Sequence, residues 1–256
     1  MKRGYGWKPD RKGVDDPKFK ASWFSPARYM PLSLMPDDLN LRQWAPPIFD
    51  QGLYGTCTCN AVPELLEYNM IVNGLPPTIL SRAWLYTLSG ELEGDTSDVG
   101  RQLRDVVAVA AQQGVVAEEI WPYSNVLQPI DRSLKAPRIF ASDFGKVEST
   151  VPAMCTALMV GRPFCIGIPV YPQFESDEAA ETGNITMPTW GQTPVGQHAM
   201  SVFRIQRRAE QASGPNSWGE GWGDRGWFKL PLDYLVKHAS DCWTVRSNTE
   251  SANATS

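Results

Sequence analysis

The chain has 256 residues, 42% of them apolar, enough to bury a sizeable core in one large domain or two small ones without disulfide or metal staples. A formal charge of −4 and a pI of about 5.3 exclude a surface built on uncompensated Lys and Arg, so nucleic acid is not expected as a partner. Apolar runs such as Val106 to Ala111 fall far short of the roughly 20 residues that span a bilayer, and Met1-Lys2-Arg3-Gly4 leads into no signal region, so no membrane partner is expected either.

With no targeting signal the cytoplasm is the default compartment, and export by a route without a signal peptide is left open. Residues 1–38 carry Tyr5, Trp7, Phe19, Trp23, Phe24 and Tyr29 and repeated prolines without helical or alternating period, which predicts an irregular extension. Its first twenty residues hold seven Lys or Arg against three Asp, a local +4 that leaves −8 for the remainder, so charge favours docking onto the body. After Cys57, the spacing of Ala61, Val62, Leu65, Leu66 and Met70 predicts an amphipathic helix, with Pro63 removing one donor inside it. Leu103, Val106, Val107, Ala110 and Ala111 predict a second helix stopped by Gly114. Beyond about residue 150, short apolar runs broken by Gly and Pro, such as Phe164 to Val170 and Trp227 to Leu230, predict strands. "LDYLVK" predicts a surface helix ending near His238, and the small polar tail Ser247 to Ser256 predicts disorder. The whole reads as α+β: an extension (1–38), a helical lobe (39–148), a β-rich lobe (149–246) and a tail (247–256), in a chain expected to be monomeric with its cleft between the lobes.

Chemistry concentrates first in "DQGLYGTCTCNA" at 50–61. Zinc lacks ligands: the chain has two histidines, His198 and His238, no second cysteine cluster, and one residue rather than two to four between Cys57 and Cys59. No metal or other cofactor is expected. A Cys57–Cys59 disulfide would strain so short a ring. Cys59 reads as a small buried core residue. Cys57 differs, because at a helix start the unpaired amides and the dipole favour thiolate over thiol. A thiolate nucleophile needs an imidazole, and the imidazole needs a partner that holds its ring. "VGQHAM" supplies His198, and "GPNSWGEGWGDRGWF" supplies Asn216, whose amide oxygen accepts a ring N–H without adding charge.

These stretches, with "QWAPPIFDQGLYGTCTCNA", "LSRAWLY", "SDVGRQLRDVV" and "GVVAEEIWPY", resemble the papain-family cysteine peptidases, and the short bacterial members most in texture, from about Asp38 to Arg246. The strict cysteine signature is not met, since Tyr54-Gly55-Thr56-Cys57-Thr58 stands where Cys-Gly-Ser/Ala-Cys-Trp/Tyr is usual. A glutamine six residues before Cys57, a glycine two before it and a histidine 141 residues after it are present, in the order Gln, Cys, His, Asn. The resemblance implies a papain-like two-lobed fold, a helical lobe beside an antiparallel β-barrel-like lobe. It further implies catalysis by Cys57 with His198 as imidazolium partner, Asn216 orienting His198, and Gln51 facing the oxyanion. Trp218 would shield the His198–Asn216 pair; Val99 and Gly100 would hold the substrate backbone, with Gln197 beside them.

Tyr54 stands where secreted relatives carry a disulfide cysteine, in keeping with a reducing compartment. The polar "RIQRRAEQASGP" before Asn216 ends in Pro215, which removes a strand donor and predicts a disturbed approach to Asn216. The implied function is endopeptidase hydrolysis of extended peptide or protein substrates, with the extension lying across the groove and either limiting access or only packing. A catalytically impaired binding module and a thiol acyltransferase are the alternatives.

Overall fold

The structure, a computed structural model, describes residues 4–12 and 29–247; the remaining parts of the extension, and the tail from 248, lie outside the described residues. It opens on a two-residue strand β1 (Trp7–Lys8), and β2 (Asp38–Asn40) then leads to the first helix, α1 (Cys57–Val72). From Cys57 to Met70 every residue of α1 is buried, so the helix runs through the interior rather than along one face. It continues through Pro63, held by packing on both sides. Among its buried polar side chains, the Asn60 amide N–H donates to the Thr56 carbonyl and Glu67 accepts the Leu80 N–H at 2.7 Å.

Two further helices complete this half, α2 (Arg82–Glu93) and, after a two-residue strand β3 (Arg101–Gln102), α3 (Leu103–Gln112). The second is the helix expected from the Leu103 stripe. Helix α2 has no counterpart in the periodicity reading, but its signals are local: the Ser81 hydroxyl accepts the Trp84 N–H at 3.1 Å, and Gly94 closes it at φ 77°.

The second half comprises β4 (Ala141–Lys146), α4 (Val151–Met159), β5 (Phe164–Val170), α5 (Asp177–Thr182), β6 (Gly196–Val202), β7 (Arg204–Gln206), β8 (Gln211–Pro215), β9 (Trp227–Pro231), α6 (Leu232–His238) and β10 (Asp241–Ser247). The expected strands at 164–170 and 227–230 are β5 and β9, while α4, capped by Thr150, lies in a region read as strands. Instead of a closed barrel, the described residues form two open four-stranded antiparallel sheets, β4-β10-β5-β6 and β2-β7-β8-β9. Strand β6 continues through Phe203 into β7 and so links the sheets. The link is tight: a Cβ on Gly214 of β8 would lie 1.7 Å from the Ser201 carbonyl oxygen of β6. The fold is α+β and two-lobed, and α1 packs against β6, which brings the start of the helix to the strand that carries His198.

Candidate active site

Cys57 is the first residue of α1 and fully buried. The backbone N–H groups of Ala199, the residue after His198, and of Gly6 lie at its sulfur and favour thiolate. Burial outweighs them and pushes the thiol up to about 11. The expectation that the helix start lowers this pKa is therefore reversed, because desolvation of the anion exceeds what a few amide dipoles return. Cys59 is also fully buried, as expected of a core residue, and all five cysteines are free thiols.

His198 sits on β6 opposite Ile168 of β5. Its Nε2 is 2.8 Å from Asn216 Oδ1, an oxygen that only accepts, so Nε2 carries the proton and Nδ1 is the free basic nitrogen of the neutral ring. Among the described residues Nδ1 has no hydrogen-bond partner. Burial pushes His198 down to about 4, with the Asn216 bond opposing, so the ring is neutral rather than the imidazolium expected. Trp218 stacks on the ring, centroids 4.8 Å apart at 26°.

Pro215 does not disturb Asn216. It is the last residue of β8, paired with Trp227, and the chain recovers at once, the Asn216 N–H donating to the Gly226 carbonyl at 2.8 Å. A strand end is where a missing donor costs least.

Gln51 is buried, and its side chain is held at both ends: Oε1 accepts from the Ser217 hydroxyl, while Nε2 donates to the Tyr54 carbonyl at 2.6 Å and to the Gly4 carbonyl at 3.0 Å. Tyr123 braces the same loop, its hydroxyl donating to the Gln51 carbonyl at 2.9 Å and meeting Thr56 Oγ1 at 2.6 Å. Asp98 accepts the Gly55 N–H at 2.9 Å and the Tyr86 hydroxyl at 2.6 Å. Ser217, Tyr123 and Asp98 were not singled out from sequence. Each lies in a stretch that carries the resemblance, but the sequence gives it no role of its own, and only the fold brings it to the cysteine loop.

Gly100 lies in this group at φ 77°, with its N–H donating to the Tyr86 hydroxyl at 3.1 Å; Val99 and Gln197 are exposed at the rim. His238 is elsewhere, between the rings of Tyr171 and Tyr234. No group of three or more His, Cys, Asp or Glu among the described residues is placed to hold a metal ion.

The N-terminal segment Gly4 to Lys12 runs through this site. Beyond the Gly4 carbonyl on Gln51, the Gly6 carbonyl accepts the Arg101 N–H at 2.8 Å, and β1 pairs in parallel with β3. Three backbones meet there without side chains: a Cβ on Gly6 would lie 1.9 Å from the Gly55 carbonyl oxygen, and one on Gly100 would lie 2.1 Å from the Gly6 oxygen. Trp7 is buried against Gly167 of β5, and Tyr5 packs edge-on to His198 and Trp218. Contrary to the reading of this segment as aperiodic, Gly4-Tyr5-Gly6-Trp7 alternates small and aromatic residues with the period of a strand.

Charge also docks it, as the +4 against −8 split anticipates: Lys8 Nζ is 3.0 Å from Glu93, and Arg11 is 3.8 Å from Asp105. The last anchor has the opposite sense, a buried Asp10 that accepts from Trp243 Nε1 at 2.8 Å and from the Arg104 N–H at 3.1 Å, with Lys146 at 3.3 Å.

A cysteine at the start of a buried helix, beside a histidine held by an asparagine where a helical and a β-rich lobe meet, is the arrangement of a papain-like thiol hydrolase. No family model matches the chain. It is 28% identical over 217 residues to an uncharacterized peptidase C1-like protein of Acanthamoeba polyphaga mimivirus, covering 78% of this chain and 70% of that one. It is 23% identical over 211 residues to cathepsin B-like CP1 of Giardia intestinalis, covering 78% and 66%. It superposes on xylellain, a cysteine protease from Xylella fastidiosa, with a TM-score of 0.81 and 26% identity over 96% of this chain and 97% of that one. The chain is thus similar to papain-family cysteine peptidases, a short bacterial member among them.

Proposed function

We propose that the chain is a cysteine endopeptidase that hydrolyses peptide bonds through a Cys57 acyl-enzyme, and that its own residues 4–12 hold it latent. The observation that carries both parts is the peptide carbonyl of Gly4 on the Gln51 amide, beside a sulfur in contact with the Gly6 backbone. A donor that receives one peptide oxygen in the closed state is placed to receive the oxyanion of another.

With the segment withdrawn, the Cys57 thiol gives its proton to His198 Nδ1 and the sulfur attacks the substrate carbonyl carbon. Gln51 Nε2 and the Cys57 N–H stabilise the oxyanion. His198 then protonates the departing amine as the C–N bond breaks, leaving a thioester. Water, losing a proton to His198, attacks the thioester carbonyl, and Cys57 leaves as the thiol. Asn216 keeps Nε2 protonated so that Nδ1 remains the basic nitrogen, and Trp218 keeps water from that bond. A binding module without catalysis is suggested by the polar segment that ends in Pro215; the 2.8 Å His198–Asn216 contact supports the catalytic reading instead. An acyltransferase would share every residue and differ only in what attacks the thioester.

The test is an irreversible epoxide inhibitor of the family, followed by mass measurement on chain whose N-terminal segment has been displaced. A single adduct on Cys57, absent from His198→Ala, supports catalysis; adducts elsewhere only would favour the binding module. Asn216→Ala should lower kcat about 10- to 100-fold with little change in KM, because it acts on ring orientation rather than substrate contact. His238→Ala should leave kcat/KM within about twofold, as measured on any peptide substrate, since it touches only Tyr171 and Tyr234.

A further inference from the structure

Tyr5 fills a slot that belongs to the body of the enzyme. Its ring is edge-on to His198 and Trp218, with centroids 6.2 and 6.1 Å away. Its floor is Gly196, where a Cβ would come within 2.5 Å of the ring. At the far end the Tyr5 hydroxyl donates to Glu175 Oε1 at 2.5 Å. The slot thus has aromatic walls, a floor that any larger residue would raise, and a carboxylate at the depth a phenol reaches. Trp218, Gly196 and Glu175 all belong to the body rather than to the segment.

Resting on the reading of the cleft as a peptidase site, we propose that this slot selects the substrate residue on the leaving-group side of the cleaved bond, and that Glu175 is its specificity-determining residue. The side follows from chemistry: His198 protonates the departing amine, so the residue carrying that amine lies against His198 and Trp218. The chemical class follows from the contacts. An apolar body long enough to cross Gly196 must end in a proton donor, which describes tyrosine, lysine and arginine. Phenylalanine fills the same walls and leaves the carboxylate without a donor. Glu175 is exposed, so water competes for it and the discrimination is modest.

The test uses the full chain with Gly6→Leu, which is expected to open the cleft, and fluorogenic hexapeptides differing only at the residue after the cleaved bond: Tyr, Phe, Lys or Ala. The expected kcat/KM for Tyr exceeds that for Phe by about fivefold, and Lys exceeds Ala by a similar factor. Glu175→Leu should reverse the Tyr to Phe order and abolish the preference for Lys. Glu175→Gln, which keeps an acceptor without charge, should retain Tyr over Phe and lose Lys. Efficient cleavage with Tyr and Phe equal, or a Tyr preference unchanged in Glu175→Leu, overturns the inference while leaving the peptidase reading intact. No cleavage together with no epoxide adduct on Cys57 overturns both.

Discussion

Replacing Gly6 with leucine should switch the enzyme on, raising peptide hydrolysis by the full chain at least tenfold. No leucine rotamer escapes the contact, because the Cβ itself would lie 1.9 Å from the Gly55 carbonyl oxygen, backbone against backbone. The segment must lift there, and lifting it frees the Gln51 amide and the sulfur together. Opposing this, Trp7 burial contributes roughly 1.5–3 kcal/mol to closure, and the Asp10 anchor holds the far end through Trp243, Arg104 and Lys146. A local clash therefore opens the centre of the segment before its end. Deletion of residues 1–12 should activate similarly, whereas a cut at residue 38 would also remove buried Met35 and the Asp38 pairing of β2 with Gln206. Unchanged activity in Gly6→Leu chain whose Cys57 does take the epoxide would mean that the segment is a structural strap and not a gate.

The same closure has a pH signature. Cys57 is held up at about 11 and His198 down at about 4 while the segment covers them. For the thiol, an acid with a raised pKa, closure is fully favoured below the open-state value and weakens as pH climbs from there towards 11. For His198, a base with a lowered pKa, closure is fully favoured above its ordinary value of 6.5 and weakens as pH falls towards 4. Latency is thus expected to be tightest between about 6.5 and 9, the ordinary values of the two groups. Alkylation of Cys57 against pH in the native chain should follow an inflection far more alkaline than in Gly6→Leu.

Part of this arrangement was legible because a thiol nucleophile needs an imidazole and the imidazole needs a holder, and the pair read from sequence, His198 and Asn216, is in contact at 2.8 Å. The stripe of α3 and the strands β5 and β9 were readable from period alone. Three things were hidden. Helix α1 is buried all round, so its face pattern understates it, and α2 and α4 announce themselves through Ser81, Thr150 and Gly94 rather than through hydrophobic repeats. The Gly4 to Trp7 alternation was lost among prolines and charges, since four residues make a poor sample of any period. The direction of the Cys57 shift was misread for a deeper reason: a helix start is a local property, whereas burial depends on which distant segment lies on top. Pro215 teaches the converse, because whether a missing donor matters depends on a ladder end that only pairing reveals.

In the opened Gly6→Leu chain, Cys57→Ala should lower kcat by about 10³- to 10⁶-fold, and His198→Ala by a comparable amount. The argument is that the two act as one unit. A thiol without a base is almost wholly protonated at neutral pH, and an imidazole without the sulfur has no acyl acceptor to serve. The double variant should therefore be no slower than the worse single variant, where independent contributions would multiply. Neither change is expected to unfold the chain, since alanine at 57 keeps a small apolar residue at the helix start and His198 leaves its strand pairing to the backbone; thermal unfolding checks this. Multiplicative losses in the double variant would separate the two residues into different steps, and wild-type turnover by Cys57→Ala would remove the acyl-enzyme from the mechanism altogether.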